Sequence, residues 1–295
     1  MDIRSLTYFL EVVKHNSFSK ASQQLHLSQP TLSKMIKQLE EELGVVLFDR
    51  STRRMQLTET GETLSRHARL VMQALEHLQS ALQDIRDLRT GQFAFGMPPV
   101  IGASFFPRIL ARFHRLYPGV HIQLVEEGGK QIEQMLLEGK LDLGVVVLPV
   151  NEEWFDVIPL VERKLRLVLP AGHRLASMDS IPLPALKEEP FIMFRKGFSL
   201  HDKVRVACIE AGFEPRIAYE SAQWDFIGEL VAAGMGIAFL PETACEKLDP
   251  RQVKAVAGTD PQIDWNIGLI RRKDSYLNHA AREWVRFVQA EFSMA

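Results

Sequence analysis

The chain has 295 residues, 46% hydrophobic and 24% charged, with a net charge of −2; this length suits about two domains, and the composition excludes disordered, collagen-like and coiled-coil-only classes. No apolar run approaches the roughly 18 residues that cross a bilayer. The opening stretch carries Asp2, Arg4, Glu11 and Lys14 through its apolar positions, so no signal-peptide core is expected and the cytoplasm is the expected location, with Cys208 and Cys245 as reduced structural residues.

Residues 1–58 hold eight Lys/Arg against six Asp/Glu, a net of +2, which leaves −4 for the remainder. The acids gather at Glu40, Glu41 and Glu42, so Lys20, Lys34, Lys37, Arg50, Arg53 and Arg54 are expected to form a basic face. Leu6, Phe9, Leu10 and Val13 recur at helical spacing and predict a first helix that stops near Asn16. A second is predicted to start near Ser19 as N-cap, with Ala21 and Leu25 turned inward. A third follows Leu27, with Ser28 as cap, Pro30 in the first turn, and Leu32, Met35, Ile36 and Leu39 along one face. Two short helices joined by a tight turn form a helix-turn-helix pattern. After Gly44, residues 46–50 and 55–58 can pair as a two-stranded wing with residues 51–54 at its tip.

Thr58 then caps a predicted helix to about Arg89, about 45 Å long. Leu64, Ala68, Val71, Leu75, Leu78, Leu82 and Ile85 alternate steps of four and three, the spacing of a coiled-coil seam, which implies a dimer. The competing reading is an amphipathic helix lying on its own domain.

From residue 92 strands and helices alternate: 93–97, 103–116, 120–125, 131–138 and 141–148 read βαβαβ, the pattern of a parallel sheet with helices on both faces. A second unit follows, with strands at 165–169, 191–194, 216–219 and 237–240 and helices at 200–211 and 224–233. A late strand at 265–270 and a terminal helix at 276–292 complete the chain. Two α/β lobes joined by crossing segments enclose a cleft. The expected organisation is residues 1–58 as a winged helix-turn-helix, 59–90 as a linker helix, and 91–295 as a two-lobed α/β domain. Lobe I takes about 91–162 and 267–295, and lobe II about 163–266.

The stretch from Phe18 to Gly61, FSKASQQLHLSQPTLSKMIKQLEEELGVVLFDRSTRRMQLTETG, resembles the DNA-binding domain of LysR-type transcriptional regulators. Leu141-Asp142-Leu143-Gly144 and Ala233-Gly234-Met235-Gly236-Ile237 extend that resemblance over the chain. It implies an α/β protein with an all-α-type winged helix-turn-helix at its N-terminus, a dimerising linker helix and a periplasmic-binding-protein-like (type 2) effector domain. It also implies a homotetramer on an interrupted palindrome of double-stranded DNA, contact with RNA polymerase, and an activating role. Residues 101–107, 189–192 and 219–226 are similar to acetate-responsive regulators of holin-like cell-lysis operons, which implies a small carboxylate effector.

The expected DNA contacts follow from position. Gln29 at the start of the third helix has the amide that reads adenine bidentately, Pro30 and Thr31 can touch thymine methyl groups, and Ser33, Lys34 and Lys37 reach the adjacent base or phosphates. Ser19 and Lys20 meet phosphates at the second helix's N-terminus, and Arg50, Arg53 and Arg54 lie on the wing. His26, beside the turn, reads as packing.

In open α/β sheets ligands sit beyond the carboxyl ends of strands, where helix N-termini point. Four such junctions occur, at residues 98–104, 128–130, 198–201 and 221–225, and their backbone N–H groups favour an anion. The family positions carried over by the resemblance are Pro99, Val100, Gly102, Gly129, Phe194, Ser199 and Gln223. Many members place hydroxyls near positions 100 and 129, where this chain has Val100 and Gly129. No GxSxG, HExxH, GxxxxGK[ST] or paired CxxC occurs, and the nine histidines show no metal-ligand spacing. Neither catalytic residues nor a metal or cofactor are expected, and an enzyme acting on small carboxylates is the remote alternative. The nearer one is an effector-independent DNA-binding protein whose C-terminal domain serves assembly only.

Overall fold

The structure, a computed structural model, describes residues 1–49, 55–84, 90–256, 258–273 and 275–293. Arg50, Arg53, Arg54 and Ile85 therefore lie outside the described residues. The chain divides into two compact units, one holding the N-terminal helices and the other the α/β remainder.

In the first unit, helix α1 (Ile3–His15) is capped by Asp2, whose carboxylate accepts the Ser5 N–H at 2.8 Å, and it ends at Asn16 in the left-handed region (φ 46°). Helix α2 (Phe18–Gln24) is capped by Ser17 and not by Ser19. A cap residue needs extended backbone with its hydroxyl aimed along the helix. Ser17 has it (φ −165°) and accepts the Lys20 N–H at 3.3 Å, whereas Ser19 is already helical. Helix α3 (Gln29–Leu43) starts as its sequence predicts, with Ser28 capping Thr31 and Pro30 in the first turn, and it stops at Gly44, where φ is +68°.

Strands β1 (Phe48–Asp49) and β2 (Gln56–Leu57) pair antiparallel as the base of the wing. The core between them and the helices is Phe9, Val12, Ala21, Leu32, Ile36, Leu39, Leu47 and Phe48, with the Phe9 and Phe18 rings each 5.5 Å from Phe48. Helix α4 (Glu59–Asp84) is capped by Thr58, whose Oγ1 accepts the Gly61 N–H at 3.0 Å.

The heptad positions of α4 divide in two. Leu64 packs on the core of its own unit and Ala68 is buried, while Val71 and Leu78 are 44% and 57% exposed. Leu75 is half-buried, and the side chain of Leu82 lies outside the described residues.

The second unit opens with β3 (Thr90–Met97), α5 (Pro99–Leu116), β4 (Gly119–Glu126), α6 (Gly129–Leu137) and β5 (Leu143–Val147), the expected parallel βαβαβ run, and then adds β6 (Phe155–Val161). The chain crosses to lobe II through β7 (Leu165–Pro170), β8 (Ser180–Pro182), β9 (Pro190–Phe194), α7 (Ser199–Glu210), β10 (Arg216–Ser221) and α8 (Trp224–Ala232). Strand β11 (Ala238–Pro241), helix α9 (Glu242–Cys245), β12 (Val253–Val256) and β13 (Gly258–Asp260) complete it. The chain returns with β14 (Ile267–Arg272) and helix α10 (His279–Ser293).

Neither lobe's sheet is purely parallel. Lobe I orders its strands β4-β3-β5-β14-β6, with β14 antiparallel to both neighbours. Lobe II pairs β9 with β10 in parallel and β7 with β11 and β12 antiparallel; the two groups are stitched by the Ile192 N–H donating to the Ile237 carbonyl and the Ile237 N–H to the Pro190 carbonyl, each at 2.8 Å. Strand β6 escapes a reading by pattern because Pro159 interrupts it, and its place at the sheet edge is where proline is tolerated. The terminal helix begins at His279, later than predicted. Trp284, fully buried, packs 5.3 Å from Phe95 and 4.9 Å from Phe113, which ties α10 to the first strand and helix of lobe I. The crossing segments are themselves paired: the Trp265 N–H donates to the Arg163 carbonyl at 2.7 Å and the Leu165 N–H to the Ile263 carbonyl at 2.9 Å.

Candidate functional site

The side chains expected to meet DNA lie at the starts of α2 and α3 and along α3. Gln29, Pro30, Thr31, Lys34 and Lys37 are all exposed on α3, Ser33 is partly covered, and Ser19 and Lys20 are exposed at the start of α2. The Ser28 and Thr31 hydroxyls bond each other at 2.7 Å, which leaves the Gln29 amide at the tip of the helix unencumbered by the cap. His26 is not packed; it is exposed and holds the left-handed position of the turn (φ 53°) between the two helices.

In the second unit the strand ends place the junctions side by side. Met97 and Glu126 are register partners, so α5 and α6 begin next to each other, and Phe194 and Ser221 do the same for α7 and α8. The two pairs face across the lobes: a Cβ on Gly128 would lie 2.4 Å from the Gly197 carbonyl oxygen, and one on Gly129 would lie 2.7 Å from Ser199 Oγ. The N-caps of α5, α7 and α8 are Pro98, Phe198 and Gln223, and none makes a side-chain capping bond. N–H groups at a helix start can act as donors for an anion; at α5 Pro99 has none to give, and at α8 the Phe226 N–H is already taken by the Asp225 carboxylate at 2.9 Å.

Of the seven carried-over positions, Val100 and Phe194 are each 3% exposed and belong to the core, so they reach the cleft through backbone alone. Gly102 and Gly129 are buried, with Met97 Sδ 3.0 Å and Ser199 Oγ 2.7 Å from where their Cβ atoms would be; Pro99 and Ser199 are partly exposed and Gln223 is exposed.

Sequence reasoning missed the polar contacts between lobes, because each joins residues remote in the chain. Lys130 Nζ lies 2.5 Å from Asp202 Oδ2, Thr243 Oγ1 lies 2.8 Å from Ser104 Oγ, and Lys247 Nζ donates to the Ala103 carbonyl at 2.9 Å. His201, 3% exposed, sits between two carboxylates, with Nδ1 3.0 Å from Asp202 and Nε2 3.4 Å from Glu220. Burial disfavours the charged form of Asp202, but the hydrogen bonds from Lys130 and His201 outweigh it and hold its carboxyl below the ordinary value. Among the described residues no group of three or more His, Cys, Asp or Glu is placed to hold a metal ion, and no helix is long and apolar enough to cross a membrane.

Residues 3–62 match the family described as bacterial regulatory helix-turn-helix protein, lysR family, and residues 86–293 match the LysR substrate binding domain. The chain belongs to the LysR family of transcriptional regulators. It is 48% identical over 290 residues to the uncharacterized HTH-type transcriptional regulator YwbI of Bacillus subtilis, covering 98% of this chain and 96% of that one. It is 30% identical over 291 residues to the DNA-binding transcriptional dual regulator OxyR of Escherichia coli, covering 98% and 95% of the two chains. In fold it is similar to a full-length OxyR variant from Pseudomonas aeruginosa, with a TM-score of 0.78 and 24% identity over 100% of this chain and 95% of that one. This LysR-type protein is thus a DNA-binding transcriptional regulator with an effector-binding domain, and its relatives are regulators and not enzymes.

Proposed function

We propose that this LysR-type regulator reads an interrupted palindrome with the exposed start of α3 and is switched by a small carboxylate held between its lobes. In this reading Gln29 reads a base, Pro30, Thr31 and Ser33 touch adjacent bases, and Ser19, Lys20, Lys34 and Lys37 hold phosphates. Arg50, Arg53 and Arg54 on the wing add phosphate or minor-groove contacts. Pairs of chains join through the exposed heptad positions of α4 and assemble into tetramers, and the bound form recruits RNA polymerase to activate a target operon.

The observation that carries the ligand reading is the placement of three helix starts, whose N-cap residues make no side-chain capping bond, at the strand ends of the two lobes, near Ser199 Oγ and the Lys130–Asp202 pair. Backbone N–H groups and helix dipoles there favour a carboxylate without a dedicated arginine. Glu126 stands beside Gly102, its Oε1 3.7 Å from where a Cβ would be, and its charge disfavours an anion placed directly against α5. Acetate is the first compound to test, on the strength of the resemblance in residues 101–107, 189–192 and 219–226.

The effector-independent reading has one observation of its own, because the Lys130–Asp202 pair and the Thr243–Ser104 bond already brace the lobes. Thermal unfolding over an acetate series, with a footprint upstream of the chain's own gene, separates the two. A melting temperature that rises with ligand concentration and a footprint that changes extent support the switch. No shift with any small carboxylate and an unaltered footprint support the assembly module.

A further inference from the structure

The peptide of Leu47 is held from both sides. Its N–H donates to Glu40 Oε1 on α3 at 2.8 Å, with the Phe48 N–H on the same oxygen at 3.4 Å, and its carbonyl accepts the Thr58 N–H at 3.0 Å. The carbonyl before it, on Val46, accepts the Thr58 and Thr60 hydroxyls at 2.6 and 2.7 Å, and Thr58 is the cap of α4. A Cβ on Gly61, in the first turn of α4, would lie 2.2 Å from the Leu47 carbonyl oxygen, so that helix approaches as closely as a residue without a side chain permits. The Leu47 side chain is fully buried in the helical core, which leaves this segment little room to shift.

The three acids that the sequence presents as one cluster therefore do different things. Glu41 faces Lys37 one turn away, Glu42 meets the N-terminal amine, and Glu40 binds the backbone that leads from α3 into the wing. A carboxylate on a DNA-reading helix repels phosphates, and its bonds to two backbone N–H groups give it a structural role at this junction.

We infer that Glu40, acting through Leu47, fixes the angle between α3 and α4 and so sets the half-site spacing that a pair of chains accepts. Glu40 is a positioning residue: it acts by holding the frame on which Gln29 is carried. The long helix is a lever, and a few degrees of play at its base move the far half of a pair by ångströms. Half-sites on DNA come at fixed helical spacing, so play at this point costs selectivity before it costs affinity for one half-site. The inference rests on the reading that α4 joins two copies and that α3 reads DNA.

The test uses the full-length protein and duplexes that carry two half-sites at the natural separation or displaced by one or two base pairs, with a single half-site as control. Glu40→Ala removes the acceptor; Glu40→Gln keeps an acceptor oxygen and removes the charge. Wild type and Glu40→Gln are expected to prefer the natural spacing by about tenfold or more, and Glu40→Ala to flatten that preference while it keeps the single-site affinity. A Glu40→Ala protein with the wild-type spacing profile overturns the inference, as does a Glu40→Gln protein as flat as Glu40→Ala, which would make charge the active feature. If wild type itself shows no spacing preference, the paired-chain reading fails and the inference falls with it. Should Glu40→Ala not fold, Thr60→Val loosens the same junction from the α4 side and is expected to flatten the profile; an unaltered profile there overturns the inference.

Discussion

The ammonium of Lys130, in the first turn of α6 in lobe I, lies 2.5 Å from the carboxylate of Asp202 in the first turn of α7 in lobe II. The two side chains are 65% and 41% exposed, so the pair sits in water and contributes under about 1 kcal/mol to stability. Its place across the cleft gives it a larger part in lobe geometry than in folding. Asp202→Asn is expected to lower the melting temperature modestly, chiefly through its contact with buried His201 and less through Lys130, and to alter the ligand-induced shift.

The same carboxylate has a defined pH signature. A carboxyl held below its ordinary value of 3.8 stabilises the folded state above that value, and the contribution fades as pH falls below 3.8 through the lowered folded value. The Asp202 carboxylate is therefore ionised throughout pH 5 to 8. A ligand-induced melting shift that varies in that interval for wild type and Asp202→Asn alike has its origin in another group, and titration of both proteins by calorimetry reads the difference.

At Gly128 the backbone of one lobe comes close to that of the other. An alanine there puts Cβ 2.4 Å from the Gly197 carbonyl oxygen, a backbone atom that cannot rotate away, whereas Gly129→Ala meets only the end of the Ser199 side chain at 2.7 Å. Gly128→Ala is expected to abolish the ligand-induced melting shift and Gly129→Ala to weaken it. Equal behaviour of the two variants would count against backbone contact as the closing surface.

The two thiols are expected to react slowly with peroxide. Burial pushes both Cys208 and Cys245 up to about 12, so the reactive thiolate is scarce at neutral pH. DNA binding is expected to be unaltered by low concentrations of hydrogen peroxide, and native protein to react slowly with a thiol reagent until it is unfolded. Rapid labelling of either cysteine in the native protein would overturn this.

Gln29 and the α4 positions give separable effects. Gln29→Ala is expected to lose about 1–3 kcal/mol of discrimination between operator and scrambled DNA, with smaller loss of non-specific affinity. Val71→Asp and Leu78→Asp, at positions 44% and 57% exposed, are expected to dissociate the oligomer in light scattering without lowering the melting temperature of the N-terminal unit. Leu64→Ala, on the core of that unit, is expected to lower it.

Much of the N-terminal unit is determined by sequence alone, because its signals are local. The caps Ser28 and Thr58, Pro30 in a first turn and Gly44 at a helix end each act within a few residues of themselves, and the helical spacing of Leu32, Ile36 and Leu39 names the buried face directly. The βαβαβ run to Val147 is legible for the same reason, since its strands are short apolar runs separated by amphipathic helices. Ser17 displaced Ser19 as a cap because backbone direction, set by the left-handed Asn16, decides which of two serines faces the helix.

Tertiary structure decided what depends on residues far apart in the chain. Which strands are antiparallel, that β14 returns to lobe I beside β5, and that Ser199 stands over Gly129 are matters of chain crossing, which no local period encodes. The Lys130–Asp202 pair and the Glu40 bond to Leu47 belong to the same class: a charge in a sequence announces that it needs a partner, and only the folded chain settles which partner is within reach.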